Sequence, residues 1–186
     1  MADTAATVLL VSGSTRSAST NTATLRTAQA LAPDGVTMVR YAGLADLPAF
    51  SPDDDREPLP PAVAELRKQI ATADAVLFCT PEYAGSLPGS FKNLLDWTVG
   101  GGEIYGKPVA WINVAPEGRG DKAHDTLATV LGYVGAVVVE LACRRLFVDR
   151  AAVGPDGMVS DENVRAGVGD VLRTVVDHIQ QAVPRP

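Results

Sequence analysis

Two stretches of this chain concentrate groups that could hold an anion or a planar polar ligand. The first, Ser12-Gly13-Ser14-Thr15-Arg16-Ser17-Ala18-Ser19-Thr20-Asn21, follows a short apolar run and leads into a helical pattern. A loop joining a buried strand to a helix gathers backbone N–H groups at the helix N-terminus, where negative charge is favoured. The hydroxyls of Ser14, Ser17, Ser19 and Thr20, the carboxamide of Asn21 and the guanidinium of Arg16 add further donors. Together they offer what a dianionic phosphate monoester needs, without lysine or metal. The G-x-x-x-x-G-K-[ST] pattern is absent, which disfavours nucleoside triphosphate hydrolysis. The competing reading is a Ser/Thr-rich turn that only caps the helix.

The second stretch, Thr80-Pro81-Glu82-Tyr83-Ala84-Gly85-Ser86-Leu87-Pro88-Gly89-Ser90-Phe91-Lys92-Asn93-Leu94-Leu95-Asp96-Trp97, leaves another apolar run at Cys79. It should enter a helix near Pro88, because proline fits a first helical turn, with Ser86 as the cap. Backbone groups of a Pro/Tyr/Gly loop can hydrogen-bond the polar edge of a heterocycle, and small residues let a ring approach closely. Phe91, Leu94, Leu95 and Trp97 are assigned to the core.

A third stretch imitates a dinucleotide fingerprint. Gly118-Arg119-Gly120-Asp121-Lys122-Ala123 fits G-x-G-x-x-A, and Glu140 follows at about 20 residues. The first glycine, however, stands off from the preceding apolar run, and Glu140 falls inside the next one, so a NAD-binding site there is disfavoured. Only two histidines and two cysteines are present. His124 and His178 are read as surface residues, and Cys79 as a small buried hydrophobe. No metal-ligand set and no G-x-S-x-G nucleophile elbow occurs.

The elements that must position these groups are visible as apolar patterns. Val8–Val11, Ala75–Phe78 and Val109–Ile112 are continuous apolar runs of the kind buried on both faces of a sheet. Val36–Tyr41 and Ala136–Phe147 carry polar interruptions and suit edge strands. Between them lie helical stripes: Leu25, Ala28 and Leu31; Val63, Leu66, Ile70 and Ala73; Leu127, Val130, Leu131 and Val134. A last stripe, Val164, Val168, Val171, Val175 and Ile179, follows a capping Asp161. Strands alternating with helices imply a parallel sheet covered on both sides. In a 2-1-3-4-5 order the first and third strands are neighbours whose chains depart in opposite directions. The crevice between their carboxyl ends is where ligands bind, so the first two stretches would line one site. The proline-rich, acidic Leu47–Pro61 is read as a solvated surface loop, with a substrate-covering loop as the alternative.

Length and composition set the outer bounds. The 186 residues suit a single domain over 1–186, and 46% hydrophobic with 20% charged residues is the balance of a soluble globular chain. A net charge of −6 with no basic cluster argues against nucleic acid. No apolar run reaches membrane-helix length and residues 1–7 do not resemble a signal peptide, so neither a membrane nor export is expected and a cytoplasmic location is.

The two main motifs resemble those of the NADPH-dependent FMN reductase family. Its G-S-x-R-x-x-S-x-N is matched by Gly13–Asn21, and its P-E-Y-x-x-S-x-P-G-x-[LF]-K-N-x-x-D-W by Pro81–Trp97. Leu47-Pro48 and Gly106-Lys107-Pro108 are also similar. The resemblance implies a flavodoxin-like α/β three-layer sandwich with a five-stranded parallel sheet in the order 2-1-3-4-5. It implies FMN as cofactor, with NADPH or NADH as co-substrate and a flavin, quinone, azo compound or oxyanion as electron acceptor. Ser14, Arg16, Ser19, Thr20 and Asn21 would bind the FMN phosphate. Pro81, Glu82, Tyr83, Ala84 and Gly85 would hold the isoalloxazine, mostly through backbone. The Ala115–Gly120 loop, with Glu117 and Gly118 at its centre, would close over the ring's far side. Since the flavin does the redox chemistry, no catalytic side chain is assigned. A homodimer, or a tetramer, whose partner subunit completes each site is implied as well. Ala84 departs from the family pattern where a polar residue is common, and Asp121 where a second glycine is. A flavodoxin-like electron carrier and a non-catalytic flavin-binding protein are the rival readings.

Overall fold

The computed structural model describes residues 6–182. β1 (Ala6–Ser12), β2 (Val36–Tyr41), β3 (Ala75–Cys79) and β4 (Pro108–Asn113) alternate with α1 (Thr20–Ala30), α2 (Pro61–Thr72), α3 (Gly89–Asp96) and α4 (Asp121–Tyr133). β5 (Val137–Val138), β6 (Arg144–Arg145) and α5 (Glu162–Ala182) complete the chain. The sheet is parallel in the order β2-β1-β3-β4-β5, with β6 also on β4, as expected.

The period-2 alternation of the central strands divides the core into two layers. Val8 and Leu10 of β1 with Ala75 and Leu77 of β3 pack against Leu25, Ala28, Val168, Val171 and Val175 of α1 and α5. Leu9, Val11, Val76 and Phe78 face the other way, onto Val63, Leu66 and Ile70 of α2, Phe91 and Leu95 of α3, and Leu127 and Leu131 of α4. The helical stripes read from spacing are thus the buried faces. Asp161 caps α5 by accepting from the Asn163 and Val164 amides at 2.9 and 3.1 Å.

Two expectations need correction. Ala136–Phe147 is not one strand. Val109 of β4 pairs with Val138, and Ile112 with Arg144, so the outer chain uses more residues than β4 over the same advance. The excess is taken up by a 3-10 turn at Glu140–Ala142, which turns Glu140 to solvent and buries Ala142 in the α1/α5 layer. Nor does Ser86 cap α3. Pro88 is the N-cap and Ser86 closes a hairpin turn, its amide donating to the Tyr83 carbonyl at 3.0 Å.

The Leu47–Pro61 segment is an exposed loop, but it is tied down. Asn93 Nδ2 and Trp97 Nε1 both donate to the Pro48 carbonyl (2.8 and 2.9 Å), and the Phe50 amide donates to Asn93 Oδ1 (2.7 Å). Trp97 is fully buried beneath it, edge-on to Phe50.

Candidate functional site

Where the chain leaves β1 and β3 in opposite directions, the two ends are tied together. The Gly13 amide donates to the Cys79 carbonyl at 2.9 Å, and a Cβ at Gly13 would collide with Thr80 Oγ1 and lie 2.6 Å from Thr80 Cβ. Only glycine allows this contact. It seats the loop after β1 beside the loop after β3.

The first loop is ordered by its own hydroxyls. Ser12 Oγ accepts from the Ser14 amide and Ser14 Oγ from the Arg16 amide, both at 3.3 Å. Ser19 is the α1 N-cap, its side chain accepting from the Thr22 amide at 3.5 Å. Arg16 is exposed, with its guanidinium resting on the Ala18 carbonyl at 2.9 Å. Thr20 opens α1, and Asn21 is buried, its Oδ1 accepting the Cys79 thiol at 3.3 Å. Complete burial raises the Cys79 pKa, so this sulfur stays a thiol and packs as the hydrophobe expected.

A crevice of about 500 Å³ opens at the carboxyl ends of the strands. Thr20 and Asn21 form one wall, Thr80, Pro81 and Glu82 another, and Ala115, Pro116, Arg119 and Gly120 a third. Ser17, Ser19 and Thr20 also border an adjoining hollow of about 340 Å³. The other expected residues stand off these walls: Ser14 and Arg16 line neither hollow, Tyr83, Ala84 and Gly85 are exposed in the hairpin, and Glu117 and Gly118 are exposed at the tip of the third loop. One oxygen of the Glu82 carboxylate is held at the N-terminus of α4, where Oε2 accepts from the Ala123 amide at 3.3 Å.

The hairpin explains one departure from the family pattern. Tyr83 and Ser86 exchange both backbone hydrogen bonds across Ala84 and Gly85, which have φ of +50° and +73°. A two-residue loop left-handed at both positions is a type I′ turn, which favours Asn-Gly. Alanine is strained there by about 1 kcal/mol. Ala84→Asn should therefore stabilise the protein by about 1 kcal/mol and raise Tm by about 2–4 °C in calorimetry.

His124 is not a surface residue but buried at 6% exposure, because the first turn of α4 packs it beside Trp111. Nδ1 lies 2.6 Å from the Gly120 carbonyl, which can only accept, so Nδ1 carries the proton. Nε2 is then an unprotonated nitrogen with no partner among the described residues. Burial, the largest influence, holds the His124 pKa below 6.5. As pH falls through that value the unfolded chain takes up a proton that the native site resists, so stability declines with acidification. His124→Gln should flatten the fall in Tm between about pH 6.5 and 5.

The fourth wall of the crevice, Phe147, Val148, Asp149 and Arg150, was missed. It begins at Phe147, the last residue of the stretch read as a continuous strand, and runs past its end. Asp149 capping a turn by accepting from the Ala151 amide at 2.9 Å was the available signal. The Gly118/Gly120 pattern is no dinucleotide loop: Gly118 stands apart from the end of β4 at Asn113, and Glu140 is exposed in a 3-10 turn.

The comparisons agree with this geometry. The sequence profile described as NADPH-dependent FMN reductase matches residues 6–143. The chain is 43% identical over 105 residues to an NAD(P)H-dependent FMN reductase of Pseudomonas aeruginosa, covering 55% of this chain and 56% of that protein. It is 37% identical over 112 residues to a quinone reductase of Pseudomonas putida, covering 59% and 60%. The matched stretch thus spans little more than half the length of these curated relatives. The structure of the flavoenzyme NAD(P)H:(acceptor) oxidoreductase FerB of Paracoccus denitrificans superposes with a TM-score of 0.83 at 31% identity, over 95% of this chain and 98% of that one. A profile that runs from β1 to the 3-10 turn, and a solved relative matched almost end to end, make this chain a member of the NADPH-dependent FMN reductase family.

Proposed function

We propose that this chain is an FMN-dependent NAD(P)H oxidoreductase that passes electrons from a reduced nicotinamide to a small acceptor such as a flavin, quinone, azo compound or oxyanion. The observation that carries this reading is the meeting, at the β1/β3 junction, of a hydroxyl-rich helix N-terminus with an open crevice at the carboxyl ends of the strands. The residues fit FMN: the Ser14–Asn21 segment supplies neutral and cationic donors for a phosphate, and a crevice of about 500 Å³ falls within the usual ligand-pocket range. When bound, FMN would supply the ring that accepts and donates the hydride.

The work left to the protein is binding, orientation and shielding. Arg16, Ser19 and Thr20 would neutralise and anchor the phosphate at α1. The backbone of Pro81–Gly85 would hold the ring's polar edge, with one Glu82 carboxylate oxygen held at α4. Arg119 and Arg150 stand on the crevice wall and form no ion pair among the described residues, although the protein is acidic overall. They favour an anionic co-substrate such as NADPH or NADH.

The unit is one FMN-binding domain over 1–186, acting in the cytoplasm as a homodimer or tetramer. Tyr83 and Phe147, 55% and 50% exposed beside the crevice, are surfaces a second copy would cover. No helix among the described residues is long and apolar enough to cross a membrane. Reconstitution with FMN followed by gel filtration tests the reading: protein-bound flavin absorbance is expected, and a colourless protein peak would overturn it.

A further inference from the structure

The chain puts an unusual share of one side chain into the loop between β4 and α4. The two hydrogens of Arg145 Nη1 are shared among three carbonyls of that loop, which lie within reach: Ala115 at 3.0 Å, Pro116 at 2.8 Å and Arg119 at 2.8 Å. Its Nη2 pairs with the Asp121 carboxylate at the start of α4. His124 holds a fourth carbonyl, that of Gly120. From the β4 side, Asn113 Oδ1 accepts from the Ala115 amide at 3.0 Å. The Ala115–Gly120 loop is therefore gripped by its carbonyls, from side chains that belong to the sheet and to α4. Its Glu117, Gly118 and Gly120 amides donate no hydrogen bond to the described residues.

We propose that Arg145 is a positioning residue of the flavin site, fixing this loop so that Ala115, Pro116, Arg119 and Gly120 keep their place on the crevice wall. The assignment rests on the FMN reading above and deepens it. The break between β5 and β6 makes it possible. By absorbing the excess residues in a 3-10 turn, it brings Arg145 level with Asn113, the last residue of β4, directly beneath the loop. Gly118 and Gly120, with φ of +73° and +81°, give the loop the left-handed turns that a carbonyl-inward arrangement requires. A guanidinium held behind this wall adds positive potential to it. A reduced flavin carries more negative charge than an oxidised one, so this loop bears on the reduction potential as well as on affinity. A lysine would be a poor substitute, since one ammonium cannot span the carbonyls and the carboxylate as a fork does.

The test uses Arg145→Met, Arg145→Lys and Asp121→Asn. The last removes the ion pair but keeps the carbonyl contacts. Without added flavin, trypsin cleavage after Arg119, followed by mass spectrometry, reads the loop itself. Cleavage should be at least about tenfold faster in Arg145→Met, with other sites unchanged, and near the wild-type rate in Asp121→Asn. With flavin, the FMN dissociation constant from fluorescence quenching should rise about tenfold in Arg145→Met, less in Arg145→Lys, and by under about twofold in Asp121→Asn. The potential of bound FMN should move to more negative values in Arg145→Met. Should Arg145→Met fail to fold, Arg145→Lys is judged by the same measures. A folded Arg145 variant with wild-type cleavage and affinity would overturn the proposal, as would an Asp121→Asn effect equal to that of Arg145→Met. A wild-type protein that takes up no FMN would instead overturn the cofactor reading, which the trypsin result does not share.

Discussion

Gly13→Val is expected to destabilise the protein by about 3 kcal/mol and to lower Tm by roughly 6–12 °C. The new Cβ would overlap Thr80 Oγ1, approach Thr80 Cβ to 2.6 Å and meet the Phe91 ring at 3.0 Å. None of these can yield easily. Thr80 directly follows β3, and Phe91 is fully buried against Phe78, with ring centroids 5.7 Å apart. Relief would have to come from parting the two loops, which also breaks the hydrogen bond from the Gly13 amide to the Cys79 carbonyl. FMN affinity should fall with stability, because the same separation displaces the Ser14–Asn21 segment from the wall formed by Pro81 and Glu82. Urea unfolding and FMN titration of the variant check both halves. A valine variant of wild-type stability would mean that β1 and β3 do not meet as described.

Arg16→Ala should separate those two effects. Arg16 is exposed and its guanidinium touches only the Ala18 carbonyl, so stability should change by no more than about 0.5 kcal/mol. A charged hydrogen bond to a phosphate is worth about 1.5–3 kcal/mol, so the FMN dissociation constant should rise by about 10- to 150-fold. Arg16→Lys should recover part of that loss, as a cation without the fork geometry. Fluorescence titration reads the affinity and thermal unfolding the stability. Unchanged FMN affinity in Arg16→Ala would remove this residue from the phosphate site.

The layers of the fold were legible because burial on two faces leaves a simple mark. Val8–Val11 and Ala75–Phe78 are uninterrupted apolar runs, and each helix that covers them repeats its apolar residues every three or four positions. The loops after β1 and β3 were legible for a different reason, since hydroxyls, glycine and proline at a strand-to-helix junction have local consequences. What escaped notice depends on long-range contacts. His124 is one polar residue on an amphipathic helix, and only its packing against Trp111 decides that it is buried. Arg145 sits in an apolar run, where nothing nearby in sequence announces that it will reach three carbonyls some 30 residues earlier. The strand break that places it there is a mismatch of length between β4 and the β5–β6 segment, which neither segment reveals alone. The Phe147–Arg150 wall follows from the same break.

In this crevice a reduced nicotinamide would reach a bound flavin. Anaerobic rapid mixing of the FMN-loaded protein with NADPH, with NADH in a parallel run, tests it directly. Rapid loss of the flavin's visible absorbance, restored when a quinone is added, is the expected result. A protein that binds FMN but keeps its absorbance with both nicotinamides would be an electron carrier or a flavin-binding protein, and would contradict the oxidoreductase assignment.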